Sequence, residues 1–226
     1  MISYAQNRED VVLWRALHSI PNGTYIDIGA QDPVENSITN WFYEIGWSGI
    51  NIEPVEIYFT KLCQLRTRDI NLNWVISDEK KEITFFEVEE TGISTYIIEN
   101  LSYPKSNNLV INEKQMTSHT LLDIENLASD REVHFMTIDV EGAESDVLQG
   151  LRKTKLRPWV LVIEAHEPGS QIQSHSKWER KVLKAGYKFV LADGLNRFYC
   201  HKSKLNLMSY LQYPANVFDN YEVRKV

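Results

Sequence analysis

Cysteine is nearly absent: the 226 residues hold two, Cys63 and Cys200. They lie far apart and show none of the close spacings of metal sites, so reduced thiols in a cytoplasmic protein are expected. Long apolar runs are missing as well. The longest is WVLVI (159–163), too short for a signal-peptide core or a membrane span, although the substrate itself can still be lipid-linked. Basic charge is not in excess: 24 Lys and Arg face 31 Asp and Glu, a formal net charge of -7. The two signs are interspersed, which argues against a nucleic-acid footprint, because phosphate neutralisation needs clustered Lys and Arg. There is no internal repeat and no low-complexity tract. Glycine, with ten residues, never forms the G-x-G-x-x-G turn of pyrophosphate binders.

What is present is enough apolar material, 43% of residues, for one sizeable core. Strand-like runs occur at TYIDI (24–28), GINIE (49–53), LNWVI (72–76), VHFMTIDV (133–140), WVLVIE (159–164), YKFVLA (187–192) and RFYC (197–200). Several are almost continuously apolar, as strands covered on both faces must be. Helical stripes lie between them, at Ile38, Trp41, Phe42 and Ile45 and again at Trp178, Val182 and Ala185. This alternation predicts an α/β fold with a doubly wound, mostly parallel, seven-stranded sheet. The short DGLN link (193–196) predicts that the sheet ends in an antiparallel hairpin. A single domain over 1–226 is expected, with an N-terminal helix or lid at 1–20 and an insertion at 79–132 between the third and fourth strands.

Ligands of an open parallel sheet sit beyond the carboxyl ends of its strands. The first strand runs into YIDIGAQDP, which puts Asp27, Gly29 and Gln31 there. Glu53 ends the second strand, where an acid can accept both ribose hydroxyls, and Ser77 and Asp78 end the third, where an Asp can receive an adenine amino group. A ribose-binding acid without a pyrophosphate turn points to S-adenosylmethionine as cofactor. The fourth strand ends in Asp139-Val140-Glu141 and the fifth in Glu164-Ala165-His166, and alternation sets each pair on one face. Crowded carboxylates either raise one pKa into the range of a base or take up a divalent cation, Mg or Mn, with Asp139, Glu141, Glu164 and His166 as candidate ligands. His166 is the leading base, because its ordinary pKa of about 6.5 suits neutral pH. Asp139 is also a candidate cofactor contact.

The chain resembles the FkbM family of S-adenosylmethionine-dependent methyltransferases over most of its length. The resemblance rests on SYAQNREDVVLWRAL (3–17), YIDIGAQDPVENSITNWFYEIGWSGINIEP (25–54), Asp78, GIST (92–95), IDVEGAESDVLQG (138–150) and ADGLNRFY (192–199). IDVEGAE is the most specific of these. The resemblance implies a class I, Rossmann-like methyltransferase fold and O-methylation of a sugar hydroxyl in a glycan or glycosylated metabolite. Ser94 and Thr95 in the insertion, and Asn196 and Arg197 in the last hairpin, are the expected acceptor contacts. Three rival readings share parts of this pattern: an NAD-dependent oxidoreductase, a metal-dependent hydrolase, and a non-catalytic glycan-binding module on a methyltransferase-like fold.

Overall fold

In a computed structural model the described residues are 1–89, 91–128 and 131–224. The strands are β1 (Ile2–Ser3), β2 (Thr24–Ile28), β3 (Ser48–Ile52), β4 (Ile70–Leu72), β5 (Val75–Ile76), β6 (Glu82–Val88), β7 (Ile111–His119), β8 (Phe135–Ile138), β9 (Val160–Glu164), β10 (Tyr187–Ala192), β11 (Asn196–His201) and β12 (Glu222–Val223). The α-helices are α1 (Glu9–Leu17), α2 (Asn40–Glu44), α3 (Glu56–Leu65), α4 (Ser102–Ser106), α5 (Leu121–Ala128), α6 (Glu144–Gln149), α7 (Glu179–Lys184) and α8 (Met208–Leu211). None of them is long and apolar enough to cross a membrane.

The main sheet has seven strands in the order β10-β11-β9-β8-β2-β3-β4. The ladders β9-β8, β8-β2, β2-β3 and β3-β4 are parallel, and β11 runs antiparallel to both of its neighbours. Alternation along the central strands explains the two layers of core. Ile26, Ile28, Met136, Ile138, Leu161 and Ile163 face α5, α6 and α7. Tyr25, Phe135, Val160 and Val162 face the other way, onto Leu13 and Leu17 of α1 and Leu211 of α8. Both faces are therefore dry, which is why these strands read as unbroken apolar runs.

The expected third strand at 72–76 is divided. Asn73 Nδ2 donates to the carbonyls of Glu53 and Pro54 at 3.0 and 2.9 Å, which ends the ladder of β4 at Leu72. The chain then leaves the main sheet, and Val75 and Ile76 pair in parallel with Ser118 and His119 of β7. A separate three-stranded sheet, β5-β7-β6, is thus formed from 75–119, in which β6 and β7 form a long antiparallel hairpin.

The termini are tied together. β1 pairs in parallel with β12, and Arg15 of α1 grips Asp219 with two hydrogen bonds of 2.7 Å. Asp10 fixes the expected lid segment: Ser3 Oγ donates to it at 2.7 Å and the Tyr4 N–H at 2.7 Å. Gln6 is the member of that segment that reaches the cavity described next.

Candidate active site

The turn after β2 begins at Gly29, whose φ is +85°. A Cβ there would lie 1.7 Å from the carbonyl oxygen of Asp139. Glycine is thus demanded by the close approach of the neighbouring strand end. Gln31 also takes a left-handed φ, +48°, and its N–H donates to Glu53 Oε2 at 2.8 Å. The Val55 N–H donates to Glu53 Oε1 at 2.7 Å. Each carboxylate oxygen keeps a second lone pair. Glu53 is 4% exposed; burial pushes its pKa up to about 7, against the pull of the two N–H groups.

Gly29, Gln31 and Glu53 line a cavity of about 280 Å³, near the lower end of the roughly 300–1,000 Å³ usual for small-molecule sites. Its walls include Tyr58, Trp74 and Phe85 together with the loop 91–95 of the insertion. Trp74 is stacked on His119 with centroids 3.7 Å apart, so its ring orientation is set from behind.

Beyond β8 and β9 the ligand atoms of Asp139, Glu141 and Glu164 lie within 4.8 Å of one another. Strand alternation does not unite the first two, because β8 ends at Ile138 and Glu141 sits in a left-handed turn at φ +52°. That conformation is held from outside. Thr95 Oγ1 and Asn100 Nδ2 donate to the Glu141 carbonyl at 3.0 and 2.7 Å. Glu144 Oε1 accepts the N–H groups of Val140 and Gly142 at 3.3 and 3.0 Å. Strain of this kind persists only where its surroundings over-determine it.

Two unit charges at such a separation repel by about 3 to 4 kcal/mol at an effective dielectric of about 20, so three ionised carboxylates cannot coexist cheaply. Glu164 accordingly keeps its proton, its pKa pushed up to about 12 by burial and by the charges of Asp139, Glu141 and Glu144, and it hydrogen-bonds Asp139. Burial also raises Asp139, even though that residue keeps accessible surface on the cavity wall. Glu141 is held well above the ordinary range, chiefly by burial and then by Asp139. Glu164 Oε2 is buried without a hydrogen-bond partner. His166 lines the same shallow cavity of about 520 Å³ as these acids, but it is not a member of the three-carboxylate group. Its Nδ1 lies 3.1 Å from the Leu195 carbonyl. A carbonyl only accepts, so Nδ1 carries the proton and the lone pair of the neutral ring is on Nε2.

Other expected residues go elsewhere. Asp27 shares a strand face with Tyr25 and is buried, its carboxylate accepting from Thr39 Oγ1 at 2.9 Å and from Thr137 Oγ1; it does not line the cavity. Ser77 and Asp78 follow β5 out of the main sheet. Ser77 Oγ donates to Asp78, and Asp78 pairs with Lys81 at 3.1 Å. Asn196 Nδ2 donates to the buried Glu9, while Arg197, on the opposite face, pairs with Glu179 at 2.8 Å and stacks on Phe189. Neither hairpin residue lines the two cavities. Ser94 and Thr95 do line the cavity beside Glu53, yet Ser94 Oγ accepts from the Val88 N–H and Thr95 positions Glu141. Trp74, Asn100 and Glu144 were not anticipated as site residues. Glu144 is the last residue of IDVEGAE and Asn100 follows GIST by five positions, but their role depends on the loop after β6 folding back over the fourth strand end.

A mostly parallel sheet with helices on both faces, and a cavity at its carboxyl edge with an acid at the second strand end, define a Rossmann-like α/β protein of the methyltransferase type. The family model described as the methyltransferase FkbM domain matches residues 27–189. The chain belongs to the FkbM methyltransferase family. Among solved structures it is similar to the crystal structure of methyltransferase FkbM from Methylobacillus flagellatus KT at 2.20 Å resolution, with 15% identity and a TM-score of 0.52. That likeness covers 80% of this chain and 44% of the other, so this chain spans less than half the length of that protein. At such identity the likeness is one of fold alone. No match is found among curated proteins.

Proposed function

We propose that the chain is an S-adenosylmethionine-dependent O-methyltransferase acting on a sugar hydroxyl of a glycan or glycosylated metabolite. The observation that carries this reading is Glu53, a buried acid fastened by two backbone N–H groups and facing the cavity at the second strand end. Its free lone pairs suit a ribose diol, and the flat walls of Tyr58 and Trp74 suit a purine. Bound there, the cofactor supplies an electrophilic methyl group on a sulfonium. The chain's own task is to hold the acceptor hydroxyl in line and to take its proton. His166 Nε2 is the base we assign, with Nδ1 anchored by Leu195. Asp139 and Glu141 orient the acceptor beside it, and Glu164, being protonated, donates a hydrogen bond to Asp139 and does not serve as a base.

The three carboxylates also offer the hard oxygen ligands that Mg²⁺ or Mn²⁺ prefers. We favour transfer without a metal, since His166 stands outside the carboxylate group and suffices as a base. Chelation decides the point: EDTA leaves the rate unchanged in the metal-free mechanism and abolishes it in the other. The reading as a whole is tested by calorimetry on the purified protein. S-adenosylhomocysteine is expected to bind and NAD is not; the reverse result would return the chain to the oxidoreductases.

A further inference from the structure

The two cavities join where four residues line both: Gln6, Ile93, Asp139 and Glu141. In the methyl-transfer reading this junction is where the methyl group passes from cofactor to acceptor, so the side chains that border it meet the reacting ends of both. Ile93 has no polar side-chain atom, and Asp139 and Glu141 belong to the carboxylate group with Glu164. Gln6 is different. Its side chain is exposed, and its carboxamide has no hydrogen-bond partner among the described residues, although its carbonyl accepts from Arg8 Nη1 at 3.3 Å. On a loose terminus a free carboxamide would mean little, but here the backbone on each side of it is fixed. The Ala5 N–H donates to Asp10 Oδ2 at 3.3 Å and the Asn7 N–H to Glu9 Oε2 at 3.0 Å, and both acids are buried. Ala5 is itself buried and bridges in parallel to Asn36, while Asn7 Nδ2 donates to the Asp193 carbonyl at 3.2 Å. The segment thus sets an unused amide, with two N–H donors and one acceptor oxygen, at a fixed point of the junction. A polar group carried on rigid backbone loses little freedom when a ligand meets it.

We propose that Gln6 is a binding residue for methyl transfer, its carboxamide meeting the electropositive end of the cofactor where the two cavities join. The proposal rests on the methyl-transfer reading and adds to it a contact from outside the sheet, supplied by the N-terminal segment. An amide neither takes nor gives a proton at neutral pH. Its part is therefore to bind and orient, and the base remains His166. Its oxygen is an acceptor that stays neutral beside the carboxylates, so it takes up a positively charged group without adding to their mutual repulsion.

Three ligands separate this contact from an effect on the fold. Sinefungin carries an ammonium group where S-adenosylmethionine carries its methyl, S-adenosylhomocysteine has a neutral thioether there, and adenosine lacks the amino-acid arm altogether. Each is titrated by calorimetry into the full chain in EDTA buffer at low salt. Gln6→Ala should weaken sinefungin about tenfold, the scale of one hydrogen bond to a charged group, and leave the other two nearly unchanged. Gln6→Glu puts a carboxylate at the same point and should raise the affinity for sinefungin relative to S-adenosylhomocysteine, a gain that added salt reduces. Gln6 is exposed, so both variants are expected to fold, and adenosine affinity reports whether they have. A sinefungin to S-adenosylhomocysteine affinity ratio that Gln6→Ala leaves at its native value overturns the proposal. Equal weakening of all three ligands, the mark of a purely structural role, overturns it too. So do a ratio that falls in Gln6→Glu and native protein that takes S-adenosylhomocysteine but refuses sinefungin. If the native protein binds none of the three, the methyl-transfer reading falls and the assignment of Gln6 falls with it.

Discussion

The strand ends on the two sides of Gly29 treat acids in opposite ways. At β3, Glu53 is surrounded by backbone donors and its pKa settles at about 7. At β8 and β9, Glu164 has no backbone donor among the described residues, leans on Asp139 and is pushed up to about 12. Burial acts on both; the difference is the N–H groups that pull Glu53 down and the charges of Asp139, Glu141 and Glu144 that push Glu164 up. An acid already satisfied by the backbone presents spare lone pairs to neutral hydroxyls. Acids that satisfy only one another need a proton or a cation from elsewhere. One side is built to hold a ligand in place and the other to respond to one.

The strongest way to break this contrast is to remove the responsive side. Loss of a general base typically costs a hundredfold to ten-thousandfold in rate, so His166→Ala, and Asp139→Asn through a misplaced acceptor, are expected to lose about that much in single-turnover transfer while remaining folded. Near-normal rates in both variants would move the chemistry away from these strand ends. The next effect belongs to the holding side. Glu53→Ala should weaken S-adenosylhomocysteine binding by about 1.5 to 3 kcal/mol, the scale of hydrogen bonds to a charged group, with little change in the rate of the bound complex. Calorimetry that finds the same affinity would place the cofactor somewhere other than this cavity.

A smaller effect sharpens the comparison through pH. Between the unfolded pKa of about 4.5 and the folded value of about 12, the native state binds a proton at Glu164 that the unfolded chain releases. Stability from this group is therefore complete below the unfolded pKa and is lost as pH rises above it. Glu53 and Glu144, raised to about 7, add the same sign over a narrower range. Between pH 5.5 and 8 in EDTA, Tm should fall further in the native protein than in Glu164→Gln. Parallel slopes would mean that Glu164 is charged in the folded state.

Much of this contrast can be read in the sequence, and the reason is burial. The central strands are covered on both faces, so TYIDI and WVLVIE stand out as apolar runs that end on polar residues. Those ends supply Gly29, Glu53, Asp139, Glu141 and Glu164. Departures occur where a side chain, not a pattern, decides the path. Asn73 bonds two carbonyls and diverts the chain after β4, which carries Ser77 and Asp78 into the insertion. The nine-residue β7, INEKQMTSH, is largely polar and sits outside the main core, so it has no apolar signature. Thr95 and Asn100 act through the carbonyl of a residue more than forty positions away. No local spacing encodes that contact.

The last and smallest effect concerns the hairpin β10-β11, once the expected partner of the insertion in holding the acceptor. Arg197 and Asn196 are adjacent, so their side chains leave β11 on opposite faces, and each is engaged by an acid outside the cavities. Arg197→Ala removes a partly exposed ion pair with Glu179 and a hydrogen bond to Tyr199, interactions worth on the order of 1 kcal/mol together. A fall in Tm of a few degrees is expected, with cofactor affinity and acceptor turnover unchanged. Asn196→Ala has a second consequence, because it leaves Glu9 with the Asn7 N–H but without its side-chain donor, and burial already pushes the pKa of Glu9 up to about 8. That variant should lose stability most clearly above pH 8, where Glu9 ionises without its amide partner. Loss of acceptor turnover in Arg197→Ala, with cofactor affinity intact, would bring the hairpin back into the site and widen the responsive region to three strand ends.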